Sequence, residues 1–406
     1  MLDKKVIKGS FVLLIAFGLF NIFNFAYQIA MARLLSVEEY GVLATLFAII
    51  YIFAIFSESI QTVIAKYTVE SKSYGQLRNM LRKSIKRGTT VATKLFIGYL
   101  LISILFSYFF NISYLLLALN GIVIYFMFLL PVSRGALQGR KQFLPLGVNL
   151  VIESVMKLIL GICFVLIGWK VYGAIGGFIV GALIAFLLSF VSLKEVYRAK
   201  EEKFEGNGIY SYAKPTFFIT AVIVLFYSVD VIIAKILFVD NDYLAGAYAT
   251  ASILGKIILW ASVPIGKAMF PLSAESKDNG ERKNKILVTT LVLLSCLIIG
   301  MLGIFYLFSE EIVRLFSNKE IVESAKILVY LGISFSLIAV SNIILLYQLS
   351  IGKIKRYKVL IICNLIEVLL LVSSGNSLER FSISFVISSI ILLVGSILFV
   401  WANRHV

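Results

Sequence analysis

Twelve runs of about 20 predominantly apolar residues occupy most of this chain, and no other feature restricts its fold as tightly. A helical run of that length spans the ~30 Å hydrocarbon core of a bilayer, where each backbone N–H and C=O must be satisfied inside its own segment. The runs are 9–32, 40–65, 89–110, 113–138, 144–167, 171–193, 212–238, 243–272, 286–308, 327–349, 359–373 and 381–401, the eleventh being short. Barrel strands would be about 10 residues with strict alternation, a pattern the sequence lacks. Composition agrees: 60% of the residues are apolar and 15% charged, against roughly 45–50% and about 25% in soluble domains. The expected class is an all-α integral membrane protein.

The net charge of +16 would suggest nucleic acid in a soluble protein; in a membrane protein its distribution decides. With a cytoplasmic N-terminus, that side holds 26 of the 38 Lys and Arg, counting Lys214 at the very start of its run, the opposite side holds six, and six lie further within runs. That bias follows the positive-inside rule and predicts both termini in the cytoplasm of a multi-pass protein of the cell membrane. The cluster Arg78, Arg82, Lys83, Lys86 and Arg87 is then a topology signal in contact with anionic membrane lipid, and no nucleic-acid partner is expected. Lys4, Lys5 and Lys8 ahead of an apolar run imitate a signal peptide, but the run is long and interrupted by Asn21 and Asn24, which favours a retained helix. His405 is the single histidine, and Cys163, Cys296 and Cys363 sit in apolar runs without CxxC spacing. No metal site, cofactor or catalytic constellation is expected.

The one long polar interruption, 194–211, divides the runs into six and six, so we expect an N-terminal lobe (1–193), a cytoplasmic linker (194–211) and a C-terminal lobe (212–406). The halves echo each other. Gly41 with Ala44-Thr45 corresponds to Gly246 with Ala249-Thr250, and Gln138-Gly139-Arg140 and Asn149 to Glu153 correspond to Ile351-Gly352-Lys353 and Asn364 to Glu367. An even number of spans per half inserts both copies in one orientation, related by an axis along the membrane normal, an arrangement found in transporters.

The segment Ala32–Gly41 (ARLLSVEEYG), Leu137–Arg140 (LQGR) and Ser228–Lys256 (SVDVIIAKILFVDNDYLAGAYATASILGK) resemble the polysaccharide-transporter branch of the multidrug/oligosaccharidyl-lipid/polysaccharide flippase superfamily. The resemblance implies two six-helix lobes in a V. It also implies transfer of a lipid-linked oligosaccharide from the cytoplasmic to the outer leaflet, without enzymatic chemistry.

Apart from Lys214 at the very start of its run, ten ionisable side chains fall within runs. Lys94, Arg134, Lys235 and Lys267 are near run ends and within snorkelling reach of water. Glu58, Glu153, Lys157, Asp230, Lys256 and Glu367 are deeper, where a charge costs at least ~2.5–3.5 kcal/mol unless it faces the interior or a wet cavity. Glu153 and Lys157 share a helix face and could neutralise each other; Lys256 could pair with Asp230 or Glu367. For a flippase, Arg134, Lys157 and Lys256 are the expected contacts of a phosphate or diphosphate headgroup. Glu58 and Glu153 are expected cavity charges, and Asp230 and Glu367 candidates for a coupling H+ or Na+. Gly173, Gly177 and Gly181 form a small-residue ridge suited to close packing, and Pro131, Pro264 and Pro271 are expected to interrupt the fourth and eighth spans.

Two other functions compete. A multidrug exporter on the same fold would favour net negative charge in its pocket, whereas the within-run count is six basic to four acidic. A membrane glycosyltransferase would need an acid, base or metal at the surface; the chain offers Asp240-Asn241-Asp242, which reads as a polar turn. A non-transporting scaffold would not need deep charges in both halves.

Overall fold

The computed structural model describes residues 4–204, 213–275, 280–351 and 358–402. Residues 205–212 of the expected linker, Lys353 and His405 lie outside them, as does the Lys267 side chain. The described chain consists of helices: α1 (Lys4–Leu34), α2 (Val37–Glu70), α3 (Tyr74–Phe110), α4 (Tyr114–Gly121), α5 (Val123–Gly139), α6 (Phe143–Phe164), α7 (Lys170–Ser192), α8 (Lys194–Arg198), α9 (Ala213–Leu237), α10 (Asp242–Glu275), α11 (Gly280–Leu307), α12 (Ser309–Ser317), α13 (Val322–Ser350), α14 (Lys358–Ser373) and α15 (Leu378–Ala402). Ten stretches are long and apolar enough to cross a membrane. One of them, Phe143–Ser192, holds two crossings joined through a π turn with Gly168 at φ 100°, and Leu360–Ser373 is a further short apolar helix. The expected twelve crossings are therefore present, α4 and α5 together forming the fourth.

Local chemistry sets the ends. Ser36 and Glu39 form a reciprocal capping box at the start of α2, Ser73 accepts from the Gln76 amide to begin α3, and Asn241 accepts from the Leu244 amide ahead of α10. Each satisfies backbone donors that a helix N-terminus leaves without partners. Asn111 and Asn318 end α3 and α12 in the left-handed conformation, which asparagine tolerates. The fourth crossing breaks at Ile122, next to Gly121, and not at Pro131, which stays inside α5. A Cβ on Gly121 would lie 2.7 Å from the Tyr99 ring, so glycine is required for that packing, at the expense of helix propensity. Likewise α10 runs as one helix through Pro264 and Pro271.

The chain forms two compact units. The first is Met1–Glu39 with Phe53–Lys214, the second Tyr40–Ile52 with Pro215–Val406. Within the first, α3 packs on α5, α5 on α7 and α6 on α7; within the second, α11 packs on α13, α13 on α15 and α14 on α15. These are the same pairs by span order, as a duplicated plan requires. The glycine ridge makes the α6–α7 contact: Cβ atoms on Gly173 and Gly177 would lie 2.7 Å from the Phe164 carbonyl carbon and 2.3 Å from the Gly161 nitrogen. In the second unit the duplicate glycines meet, a Cβ on Gly41 falling 2.8 Å from Gly246 Cα. Thr45 and Thr250 each donate to the carbonyl four residues back, Gly41 and Gly246, at 2.9 Å. Ala44 and Ala48 belong to that unit's core with Phe226, Tyr248 and Phe335.

The first stretch of the linker is docked on the first unit. Arg78 Nη1 donates to Ala199 O at 2.6 Å, Asn79 and Arg82 donate to the Glu201 carboxylate at 2.7 and 2.8 Å, and the Glu202 amide donates to Gly75 O at 3.2 Å. A Cβ on Gly75 would sit 2.3 Å from Lys200 O, so the approach depends on glycine.

Candidate functional site

Charged side chains in hydrocarbon need partners, and each unit solves this with its own cluster. In the first, α5 carries Arg134, α6 carries Asn149, Glu153 and Lys157, and α1 carries Asn24 and Tyr27. Arg134, 9% exposed, donates through Nε to Asn149 Oδ1 at 2.9 Å and through Nη2 to Glu153. Asn149 in turn donates to Ala185 O at 2.6 Å. Glu153 is thus joined to Arg134 on another helix. Lys157, four residues on, donates to Asn24 Oδ1 at 2.7 Å. Its ammonium lies 4.4 Å from the Tyr27 ring centroid and 5.0 Å from that of Phe178, each contact worth ~0.5–2 kcal/mol. Tyr27 is fixed by donation to Ala174 O at 2.9 Å. The absence of a side chain at Gly181, where a Cβ would be 2.8 Å from Lys157 N, lets α7 lie directly behind these residues. Two cations thus share one carboxylate.

In the second unit the ratio reverses. Asp230 of α9 accepts at Oδ2 from Ser252 Oγ at 2.8 Å and Tyr248 OH at 3.2 Å. Lys256 Nζ stands 3.6 Å from Oδ1 and 5.4 Å from the Phe335 ring centroid. Tyr248, Ser252 and Lys256 are spaced by four on α10 and form one stripe toward Asp230. Glu367 of α14 is 0% exposed, and both its carboxyl oxygens are buried without a hydrogen-bond partner among the described residues. It lies within electrostatic range of Asp230. The ammonium serves Asp230, and Glu367 is a second buried carboxyl beyond that pair. At 3.6 Å the pair attraction is on the order of 4 kcal/mol before desolvation.

The other sequence candidates separate from these clusters. Lys256 groups with the carboxyls and not with Arg134 and Lys157. Glu58 is exposed on α2 and Lys94 on α3. Lys235 does not snorkel: it is 2% exposed and paired with Asp242. Among the described residues no group of three or more His, Cys, Asp or Glu could hold a metal ion. Sequence reasoning missed Asn149, Tyr27, Tyr248 and Ser252. Asn149, a polar residue in an apolar run, was the most detectable of them.

A family model described as "Polysaccharide biosynthesis protein" matches residues 30–326. Among solved structures, the inward-facing form of a multidrug resistance MATE family transporter of the MOP superfamily matches with a TM-score of 0.75 at 14% identity, covering 95% of this chain and 94% of that one. The lipid II flippase MurJ in an inward closed conformation matches at 0.72 and 17% identity, covering 96% and 87%. An outward-facing MATE family transporter of the MOP superfamily matches at 0.69 and 12%, covering 99% and 96%. At such identities the likeness speaks for the fold alone, which this chain shares with these MATE family transporters and MurJ. No curated protein sequence matches.

Proposed function

The chain belongs to the polysaccharide biosynthesis protein family, and from that membership we propose that it is a flippase for a lipid-linked (poly)phosphate oligosaccharide. Cargo moves from the cytoplasmic to the outer leaflet of the cell membrane by alternating access between the two six-helix lobes, with both termini cytoplasmic. The observation that carries this reading is the opposite charge balance of the two buried clusters. Arg134 and Lys157 exceed Glu153 by one positive charge, which suits a phosphate or diphosphate headgroup. Asp230 and Glu367 exceed Lys256 by one negative charge if both are ionised, which suits uptake of a cation. Because the Lys256 ammonium already stands beside Asp230, a proton on Glu367 is favoured over sodium, and Lys256 belongs to ion coupling more than to the headgroup. Glu58, exposed on α2, is a cavity charge. Sugar hydroxyls would cost roughly 2–7 kcal/mol each to strip of water in hydrocarbon, which a polar passage avoids.

The test is purified protein in vesicles with a fluorescent lipid-linked diphospho-oligosaccharide on one leaflet. Protein-dependent exchange, lost in Lys157→Gln and Arg134→Gln proteins that remain folded, supports the reading; equal rates in empty vesicles reject it. A cation-coupled multidrug exporter is the second reading, favoured by the unpartnered Glu367 carboxyl as a site for a cationic drug. Stabilisation by cationic dyes, without stabilisation by diphosphate lipids, would put that reading first.

A further inference from the structure

Away from both clusters, the first unit carries an apolar cavity of about 240 Å³ between the cytoplasmic halves of α2 and α3 and the flank of α5. Ile60, Val63, Tyr67, Met80, Val91 and Phe128 are among its lining, with Arg87 at one edge. Its depth is unusual. Met80, Ser84 and Gly88 precede the apolar run of α3, so the slot opens at the end of the span that the flippase reading places among the cytoplasmic headgroups, where an empty apolar surface is unfavourable. A slot of that volume, below the roughly 300 Å³ of typical small-ligand pockets, takes one hydrocarbon strand at a time.

A second, independent feature adjoins it. Lys83, Lys86, Arg87, Thr90 and Lys94 line a shallow depression on α3 that shares Arg87 and Val91 with the slot. Their spacing of three to four places them on one helix face. Arg78 and Arg82, one turn before, are bonded to the docked linker. Lys83, Lys86 and Lys94 are exposed and have no ion pair among the described residues. A row of unneutralised ammonium groups thus leads from the cytoplasmic surface to the mouth of a one-chain apolar slot.

We propose that this junction is the cytoplasmic-leaflet docking site for a single-chain lipid diphosphate. The diphosphate lies over Lys83, Lys86 and Arg87, within about one turn of α3, Lys94 adds attraction further along the row, and the first hydrocarbon units fill the slot. The proposal rests on the flippase reading only for the role of the bound lipid as incoming cargo. Lys and Arg satisfy phosphate oxygens as point charges and as a fork, and a phospholipid would have to splay its second chain outside the slot.

The test is binding of fluorescent farnesyl diphosphate to the full-length protein in neutral micelles, with phosphatidylglycerol as competitor. A Lys83→Gln, Lys86→Gln, Lys94→Gln triple variant removes the ladder, and Val91→Trp fills the slot at an exposed position. Tenfold or greater weakening in each variant, with wild-type melting temperatures and no displacement by a tenfold excess of phosphatidylglycerol, is expected. Absence of binding, unchanged affinity in both variants, or equal competition by the two-chain lipid would overturn the site. Vesicle transport separates the two proposals: site-dependent binding without any lipid exchange leaves the site and removes the flippase, whereas wild-type exchange in the triple variant does the reverse.

Discussion

Asp230 is held by two hydroxyls and an ammonium that all come from one face of α10, so its charge is balanced locally. Removing one member of such a buried pair leaves the other uncompensated, typically at ~3–5 kcal/mol, while replacing both by apolar groups is close to neutral. Asp230→Asn alone should therefore lower the melting temperature in detergent markedly, and Asp230→Asn with Lys256→Met should recover most of the loss. Equal melting of the two variants would show that the pair is not coupled. At this scale the sequence was informative about which residues were costly and less so about their partners. Lys157 and Glu153 share a helix face by spacing, which suggested each other. The structure joins Glu153 to Arg134, nineteen positions away on another helix, because tertiary proximity in hydrocarbon outweighs spacing along one helix. Asn24 was visible as a break in an apolar run, and its partner Lys157 explains the break.

Helix α7 approaches α6 so closely that side chains are excluded from the contact. A methyl on Gly177 would be 2.3 Å from the Gly161 nitrogen, whereas one on Gly176 would meet Phe164 at an ordinary 3.6 Å. Gly177→Ala is expected to destabilise the protein by about 1–3 kcal/mol and Gly176→Ala by far less, measured by thermal unfolding side by side. The docked linker gives a pH prediction. Hydrogen bonds from Arg82 and then Asn79 hold the Glu201 carboxyl below its ordinary 4.5. A depressed folded value means the contribution is present above that ordinary value and is lost as pH falls through the lower folded one. Protection factors of amides 199–204, taken relative to the intrinsic exchange rate at each pH, should fall below pH 4.5 in the wild type, and in Glu201→Gln they should already be low at pH 7. The crossings, including the short eleventh, followed from run length. Helices α8 and α12 did not, since each is under ten residues and lies in a polar connection. Equally, α10 absorbs its prolines within one long helix, which residue type alone did not convey.

For the molecule as a whole, on the flippase reading proposed above, a dianionic headgroup leaving a negative interior would gain about 4–5 kcal/mol at ~100 mV. Vesicle transport is expected to slow when the potential is collapsed with pH and sodium gradients held constant; an unchanged rate would exclude the potential as a drive. The twofold plan was legible from the Gly41/Gly246 and Thr45/Thr250 echoes, and equivalent helix pairs pack in both units. What short echoes did not convey is that residues 40–52 are core residues of the second unit. Ala44 and Ala48 are sealed among Phe226, Tyr248 and Phe335, and Gly41 abuts Gly246. A gene cut at the linker would consequently yield a downstream polypeptide with an unfilled notch beside α10, prone to aggregation when expressed by itself. Supplying a synthetic 37–53 peptide in trans is the complementation that should rescue it.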